Sequence, residues 1–279
     1  MSDEIITTTE TTAIVPEVWS ARFYEVLLLT LPYLGSVDRN YEGEVASLGD
    51  IVNISSIPEF DTASDLGEGV AGQAEAVTIS GQQLTINKRP YKDFIITKKS
   101  LTQSLPFMDK VRDKAIFSIQ KKMQADIITT ISPSTAGPDH VIAYDGGSTL
   151  ALADILEAKE LLDTANVPMG DRFSVHGAAQ WNDIFNITGF TSRDFIPAGS
   201  PLTSGDIPSQ LAGFSPKFTT AVSSTSYFHH PTFMTMAIQQ SMNIEVFNLG
   251  SDGVRGSRVN SDVLWGLKQL DSSRSVSIS

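Results

Sequence analysis

The sequence has no cysteine, so disulfides and thiolate metal sites are excluded. It also has no long apolar run. The longest, residues 26–29, is far too short to span a bilayer, and the first residues have neither the basic start nor the apolar centre of a signal peptide. With 41% hydrophobic residues in 279, the chain can still bury one large or two medium cores. We therefore expect a globular chain with no membrane partner.

Motifs that carry catalysis or hold cofactors are also missing. The sequence has neither a G-x-S-x-G elbow nor a G-x-x-x-x-G-K phosphate loop. Residues 67–72 match G-x-G-x-x-G by letter, but a strand-like segment follows them and Asp65 and Glu68 would repel a pyrophosphate. His229 and His230 are adjacent before a proline, which is typical of a turn and cannot present a metal-binding helix face. We predict no catalytic residue, no metal site and no cofactor, and hence a protein that is not an enzyme.

The net charge of −12 is distributed unevenly along the chain. Residues 1–80 hold 14 acids and 2 bases, whereas residues 81–132 hold 4 acids and 10 bases. An acidic chain without a concentrated basic face is a poor candidate for tight nucleic-acid binding. Opposite blocks of charge suit either pairing within one subunit or a surface that meets copies of itself.

One long amphipathic helix is predicted over residues 104–132. Apolar residues recur every four positions and charged residues occupy the other side. Ser104 is a suitable N-cap and Pro133 ends the pattern. The helix is predicted to be either a spine with sheets on both sides or an ordinary core helix of a two-domain enzyme. Its inward residues are predicted to be Phe107, Val111, Ala115, Ile119, Met123 and Ile127.

Residues 56–97 are predicted to form a long hairpin with a glycine-rich tip. One leg is acidic and the other is basic, so the charges pair either within the hairpin or across subunits. A two-stranded ribbon with so little apolar surface needs another surface to lie on. The candidate contact residues are Glu59, Asp61, Asp65, Glu68, Lys88, Arg89, Lys92, Lys98 and Lys99.

The remainder of the chain alternates helices and strands. A second helix is predicted behind Ser148 as N-cap, followed by a strand at 172–176 and a helix at 178–186. Residues 189–210 are rich in Gly, Pro and Ser and predict an irregular excursion. The last third is strand-like, with predicted strands at 217–222, 233–238, 244–247, 263–270 and 274–278. The fold class is therefore α+β.

The order of these pieces resembles that of tailed-bacteriophage major capsid proteins. The resemblance spans nearly the whole chain and rests on order and spacing rather than on one diagnostic motif. The segments that carry it are residues 14–21, 39–44, 48–54, 84–87, 92–96, 158–168, 211–214, 254–259 and 264–267.

The resemblance implies the Hong Kong 97 type capsid fold, with an N-arm, an extended hairpin called the E-loop, a P-domain with a long spine helix, and an A-domain. Carried over to this chain, the implied divisions are an N-terminal arm at 1–20, an arm-proximal helix and strand at 21–55, the E-loop hairpin at 56–97, the P-domain at 98–187 with the spine helix at 104–132, the A-domain at 188–262, and C-terminal strands returning to the P/A body at 263–279.

The function implied is that of a structural protein of the virion capsid. Copies would self-assemble into hexamers and pentamers of an icosahedral head around phage double-stranded DNA, after assembly in the host cytoplasm. Further implied partners are a portal protein and scaffolding or decoration proteins. Two alternatives remain open: an encapsulin-like protein nanocompartment shell, and a two-domain α+β enzyme.

Overall fold

A computed structural model gives the fold of the chain. The structure describes residues 33, 35–45, 50–57, 74–99, 105–132, 137–145, 147, 149–187, 210–249 and 255–279, together with residues 60, 62, 63, 65, 68, 71 and 72. The predicted arm at 1–20, the helix expected after it, Ser104, Pro133, Ser148 and the excursion at 189–209 therefore lie outside the described residues. In the described part, no helix is both long enough and apolar enough to cross a membrane.

Four α-helices are described, and the second dominates the fold. They are α1 (Glu42–Val45), α2 (Leu105–Ile131), α3 (Leu152–Thr164) and α4 (Ala178–Asn186). The 27 residues of α2 confirm the predicted long helix. Its amphipathic pattern is confirmed as well, because Ile119, Met123 and Ile127 are buried while Lys121 and Lys122 are exposed.

The strands form one hairpin and two sheets. They are β1 (Ile51–Ser56), β2 (Ser80–Thr85), β3 (Tyr91–Thr97), β4 (His140–Ile142), β5 (Phe173–His176), β6 (Ser215–Phe218), β7 (Ser226–His229), β8 (Met234–Asn248), β9 (Gly256–Gln269) and β10 (Ser275–Ile278). The hairpin pairs β1 with β2, the three-stranded sheet has the order β3-β9-β8, and the five-stranded sheet has the order β4-β10-β7-β5-β6.

The first core lies between α2 and the three-stranded sheet. Alternation along β8 and β9 sends Met242, Ile244 and Val259 to one face, where they join Met123 and Ile127 of α2 in a single buried cluster. Each such side chain contributes about 1.5–3 kcal/mol by leaving water. The amphipathic helix is therefore held by this sheet rather than by its own propensity.

The second core belongs to the five-stranded sheet and the helices on it. Ile155, Ala158 and Leu162 of α3 are buried against Phe228 of β7 and Val276 of β10. Strands of this unit come both before and after β8 and β9 in the sequence, because β7 leads into β8 and β9 leads into β10. The two units are thus interleaved in sequence.

Several local predictions were wrong. The second helix is not capped by Ser148. Instead it begins after Ala151, whose N–H donates to Asp154 Oδ2 at 2.8 Å. His229 is not in a turn but ends the buried strand β7. The strands predicted at 233–238 and 244–247 are one strand, β8, with register shifts between Ile238 and Asn243 that disturb its alternation.

The predicted bounds of the hairpin, 56–97, are wrong at both ends. Its paired legs are β1 and β2, from Ile51↔Thr85 to Ser56↔Ser80. Residues 91–97 leave the hairpin and pair with β9 as β3, because their apolar side chains Phe94 and Ile96 are covered only there.

The sheets also divide the chain differently from the implied boundaries. The boundary at 262/263 falls inside β9, and the boundary at 187/188 separates β5 from β6, its parallel neighbour. The strand pairing therefore does not support these two positions as domain limits. The names P-domain and A-domain remain proposals.

Candidate subunit-assembly surfaces

The base of the hairpin is fixed to the body by backbone contacts. Lys88 and Trp265 exchange two hydrogen bonds, N–H to O at 3.0 and 2.9 Å, and Ile86 N donates to Asp50 O at 2.7 Å. Leu84 and Ile86 are buried with Ala237 in a small cluster of their own. The hairpin thus projects from a rigid attachment on β8 and β9.

Beyond this base, apolar side chains of the extension face solvent. Ile57, Phe60 and Ile79 are each more than 60% exposed, and Val77 is 52% exposed. Four large apolar residues on one extension form an exposed surface of the kind that marks an interaction site. We call residues 57–79 the extension.

The acidic residues predicted as contacts lie in the same extension. Asp65 and Glu68 are exposed, whereas Glu59 and Asp61 lie outside the described residues. The sequence of the extension contains five acids and no base. Any surface that covers it must therefore supply apolar area, and positive charge would strengthen the contact.

Two of the predicted basic residues are engaged within the subunit. Lys88 Nζ lies 3.4 Å from Asp126 of α2 and 5.7 Å from the centre of the Trp265 ring. Arg89 forms an ion pair with Asp262 of β9. These bases therefore anchor the hairpin base to α2 and β9. Sequence reasoning missed Asp126 and Asp262, because nothing in the local pattern places them beside residues 88 and 89.

The other predicted bases lie along β3 and just after it. Lys92, Lys98 and Lys99 are exposed, and the backbone N–H of Lys98 donates to Arg255 O at 2.9 Å. Lys92 and Lys99 form no ion pair with another described residue. A neighbouring molecule can therefore pair with Lys92 and Lys99 without breaking an ion pair to another described residue.

A second exposed surface was not predicted from the sequence. On the face of the three-stranded sheet opposite α2, Ile95, Arg258 and Phe247 lie side by side on β3, β9 and β8. Ile95 is 59% exposed and Phe247 is 47% exposed, and Arg258 forms an ion pair with Asp93 at 2.6 Å. Tyr91, on the same side of β3, is 72% exposed. We call this surface the open sheet face. The alternation of β3 was a signal that could have found part of it.

The described residues contain no group of three or more metal-binding side chains. Two buried histidines whose pKa values are strongly shifted have structural roles. Burial lowers the pKa of His176 to about 3 and that of His229 to about 4. His176 Nδ1 lies 3.0 Å from Ser226 Oγ, and the ring of His229 stacks on Tyr33. Both imidazoles are neutral at pH 7, and a charged ring would be costly in either place.

A shallow cleft lies between the segment 88–91 and α2, with a volume of about 500 Å³. Its charged lining is Lys88, Arg89, Lys122 and Asp126. Asp126 accepts a hydrogen bond from Lys122 at 2.8 Å, and its other carboxylate oxygen lies 3.4 Å from Lys88 Nζ, so one carboxylate holds two lysines. This arrangement stabilises the base of the hairpin on α2.

Comparison with known proteins gives a consistent result. Residues 108–246, about half of the chain, match the family model described as phage capsid protein. No curated protein matches the sequence. The family match covers most of α2, the five-stranded unit up to β7, and most of β8.

Solved structures with the same fold come from several phages. A structure from Mycobacterium phage Che8 is 20% identical with a TM-score of 0.71, over 88% of this chain and 90% of that chain. The capsid structure of the cyanophage P-SCSP1u is 11% identical with a TM-score of 0.68, over 83% of this chain and 84% of that chain. At these identities the likeness shows the fold.

A virus-like particle from Pyrococcus furiosus has the same fold. It is 10% identical with a TM-score of 0.61, and the match covers 95% of this chain and 100% of that chain. Since the fold is shared by phage capsids and this particle, the fold alone does not separate them. The family match over residues 108–246 is what favours a phage capsid.

Proposed function

Since the chain belongs to the phage capsid proteins and has the Hong Kong 97 type capsid fold, we propose that it is the major capsid protein that forms hexamers and pentamers of an icosahedral head. The observation that carries this proposal is the extension, whose four apolar side chains are each more than half exposed. A structural protein of the virion needs such surfaces, because each subunit must bind several neighbours.

The mechanism we propose is multivalent self-association. Each extension lies over a neighbouring subunit, and the arm at residues 1–20 ties into another. Exposed ion pairs contribute about 0–1 kcal/mol each, so the acids of the extension and the exposed bases Lys92 and Lys99 mainly set the register. Ile57, Phe60 and Ile79 supply most of the affinity, since burying a large apolar side chain contributes about 1.5–3 kcal/mol.

We further propose that the shell encloses double-stranded DNA and is assembled in the host cytoplasm. The net charge of −12 supports a wall that holds DNA without binding it tightly. A portal protein, and scaffolding or decoration proteins, would be the remaining partners. The acidic net charge argues against a basic nucleic-acid-binding site on this chain, so the contact with DNA does not depend on one.

The test is negative-stain microscopy and light scattering of the purified chain. We expect closed shells from the natural sequence. Ile57→Asp with Ile79→Asp is expected to give folded subunits that do not assemble, while Ile57→Val with Ile79→Val keeps the apolar surface and should assemble normally. A natural chain that stays a small oligomer under all assembly conditions would refute the proposal.

A second candidate is a protein nanocompartment shell, which the likeness to the Pyrococcus furiosus particle supports. The two functions differ in what the shell contains. Nuclease-protected DNA in particles purified from infected cells supports the phage head. A single copurified protein inside DNA-free particles would support the nanocompartment.

A further inference from the structure

The five-stranded unit exposes, at its two opposite ends, charged side chains that form no ion pair with another described residue. Its strand order is β4-β10-β7-β5-β6, and α3 packs on β10 and β4. β6 forms the other edge and pairs only with β5. Side chains on α3 and on β6 therefore lie at the two ends of one rigid body.

The end at α3 is apolar and acidic. Leu152, Leu156 and Glu160 follow one another at four-residue steps along the exposed side of the helix, and Glu157 lies beside them. Leu156 is 48% exposed. Neither glutamate forms an ion pair with another described residue. We call these four residues the α3 stripe.

The end at β6 is aromatic and basic. Phe218 is 44% exposed, and its ring lies 5.6 Å from that of Trp181. Lys217 Nζ lies 6.0 Å above the centre of the Phe173 ring, so the amine is held at the sheet edge. Lys217 and Phe218 are consecutive residues and project to opposite sides of this edge strand. We call the pair the β6 edge.

The carboxylates described in this unit pair with bases other than Lys217 or with none. Two other bases of this unit, Lys159 of α3 and Arg172 just before β5, both pair with Asp163, at 2.6 and 2.7 Å. Lys217 has no carboxylate partner among the described residues. Within the described residues, the unit therefore holds a base without an acid at one end and acids without a base at the other.

We propose that the α3 stripe of one copy docks on the β6 edge of the next copy, with Leu152 and Leu156 against Phe218 and the glutamates against Lys217. The occupant of each end is a second copy of this chain, because each end supplies what the other lacks. Two different patches on one body make a head-to-tail interface, and such an interface closes into a ring when the rotation is right. This inference rests on the proposed function and specifies which surfaces form the ring of a capsomer.

The experiment is a charge exchange across the interface in the full chain. Glu157→Lys with Glu160→Lys, and separately Lys217→Glu, place like charges against each other. Each is expected to raise the subunit concentration needed for assembly by about tenfold, because a modest loss at one contact recurs at every contact of a ring. The three substitutions combined restore opposite charges and should return assembly to about the natural level. Lys268→Glu, an exposed base of β9 outside this unit, is the matched control and should assemble normally.

Unfolding midpoints of the unassembled variants, compared with that of the natural chain, show that each is folded. If the single exchanges assemble at the natural concentration, the docking of α3 on β6 is wrong while the capsid function stands. A combined variant that stays as defective as the single exchanges would also overturn the docking. Failure of the natural chain to assemble would instead overturn the proposed function and this inference with it.

Discussion

The substitution Gly266→Ala tests how the hairpin is attached to the body. Gly266 lies within β9, at the point where the residues that end β2 pack against β9. A Cβ at this position would lie 2.4 Å from the carbonyl oxygen of Thr85 and 2.7 Å from Cδ1 of Ile86. The backbone oxygen belongs to the end of β2 and cannot rotate away. The hairpin base must therefore move by about 1 Å relative to β9 before an ordinary contact is reached.

The cost follows from the size of that clash. Overpacking a tightly packed site costs about 1–3 kcal/mol, and here the closest atom is backbone rather than a flexible side chain. In a chain of this size about 2 kcal/mol lowers the melting temperature by roughly 4–8 °C. Gly81→Ala is the matched control, because Gly81 lies in β2 with nothing within 4 Å of a Cβ. The control is expected to be neutral or stabilising by up to about 1 kcal/mol.

The assay is thermal unfolding of the unassembled subunit, followed by circular dichroism, and then assembly of the same variants. Gly266→Ala is expected to melt earlier and to assemble poorly, since its extension leaves the body at a changed angle. Gly81→Ala should do neither. Equal melting temperatures for the two variants would show that the hairpin does not rest on β9 as described.

Three further results are expected. The pKa values of His176 and His229 are lower in the folded chain, so the unfolded state binds more protons between about pH 4 and pH 6.5. Stability is therefore full above pH 6.5 and falls on acidification. The loss at pH 5 is about 2 kcal/mol per ring, and His229→Phe should remove its share of this slope in urea titrations. Ile127→Ala on α2 should cost about 2–5 kcal/mol in the same titrations, whereas Lys121→Ala on the exposed side should cost less than about 0.5 kcal/mol. Asp154→Ala should cost about 1–3 kcal/mol, because two backbone N–H groups, of Asp145 and Ala151, lose the carboxylate that accepts from them, and melting temperature reports this loss.

The elements with strong local periodicity were predictable from the sequence. The four-residue spacing of Ala115, Ile119, Met123 and Ile127 identified α2 and its buried side. The pattern was incomplete, because Phe117 is 61% exposed although it is aromatic. The periodicity of a helix shows which side is apolar on average. It does not show which single apolar residue remains exposed on the subunit.

Pairings between distant segments were not predictable. β3 pairs with β9, and Arg89 reaches Asp262 across 173 residues of sequence. For the basic residues 88 and 89 the sequence left two partners open, the acidic leg of the same hairpin and another subunit. Their real partners on α2 and β9 follow from the tertiary fold, which one sequence does not reveal. The open sheet face was missed for the same reason.

The central claim is that neighbouring copies cover the extension. Amide hydrogen exchange measured by mass spectrometry compares peptides from residues 74–79 in the unassembled subunit and in the assembled particle. The α2 peptide over residues 119–127 is the internal control, because its core is buried within one subunit. We predict that exchange of 74–79 slows by about tenfold or more on assembly while that of 119–127 changes little. Equal exchange of residues 74–79 in subunit and particle would contradict the claim.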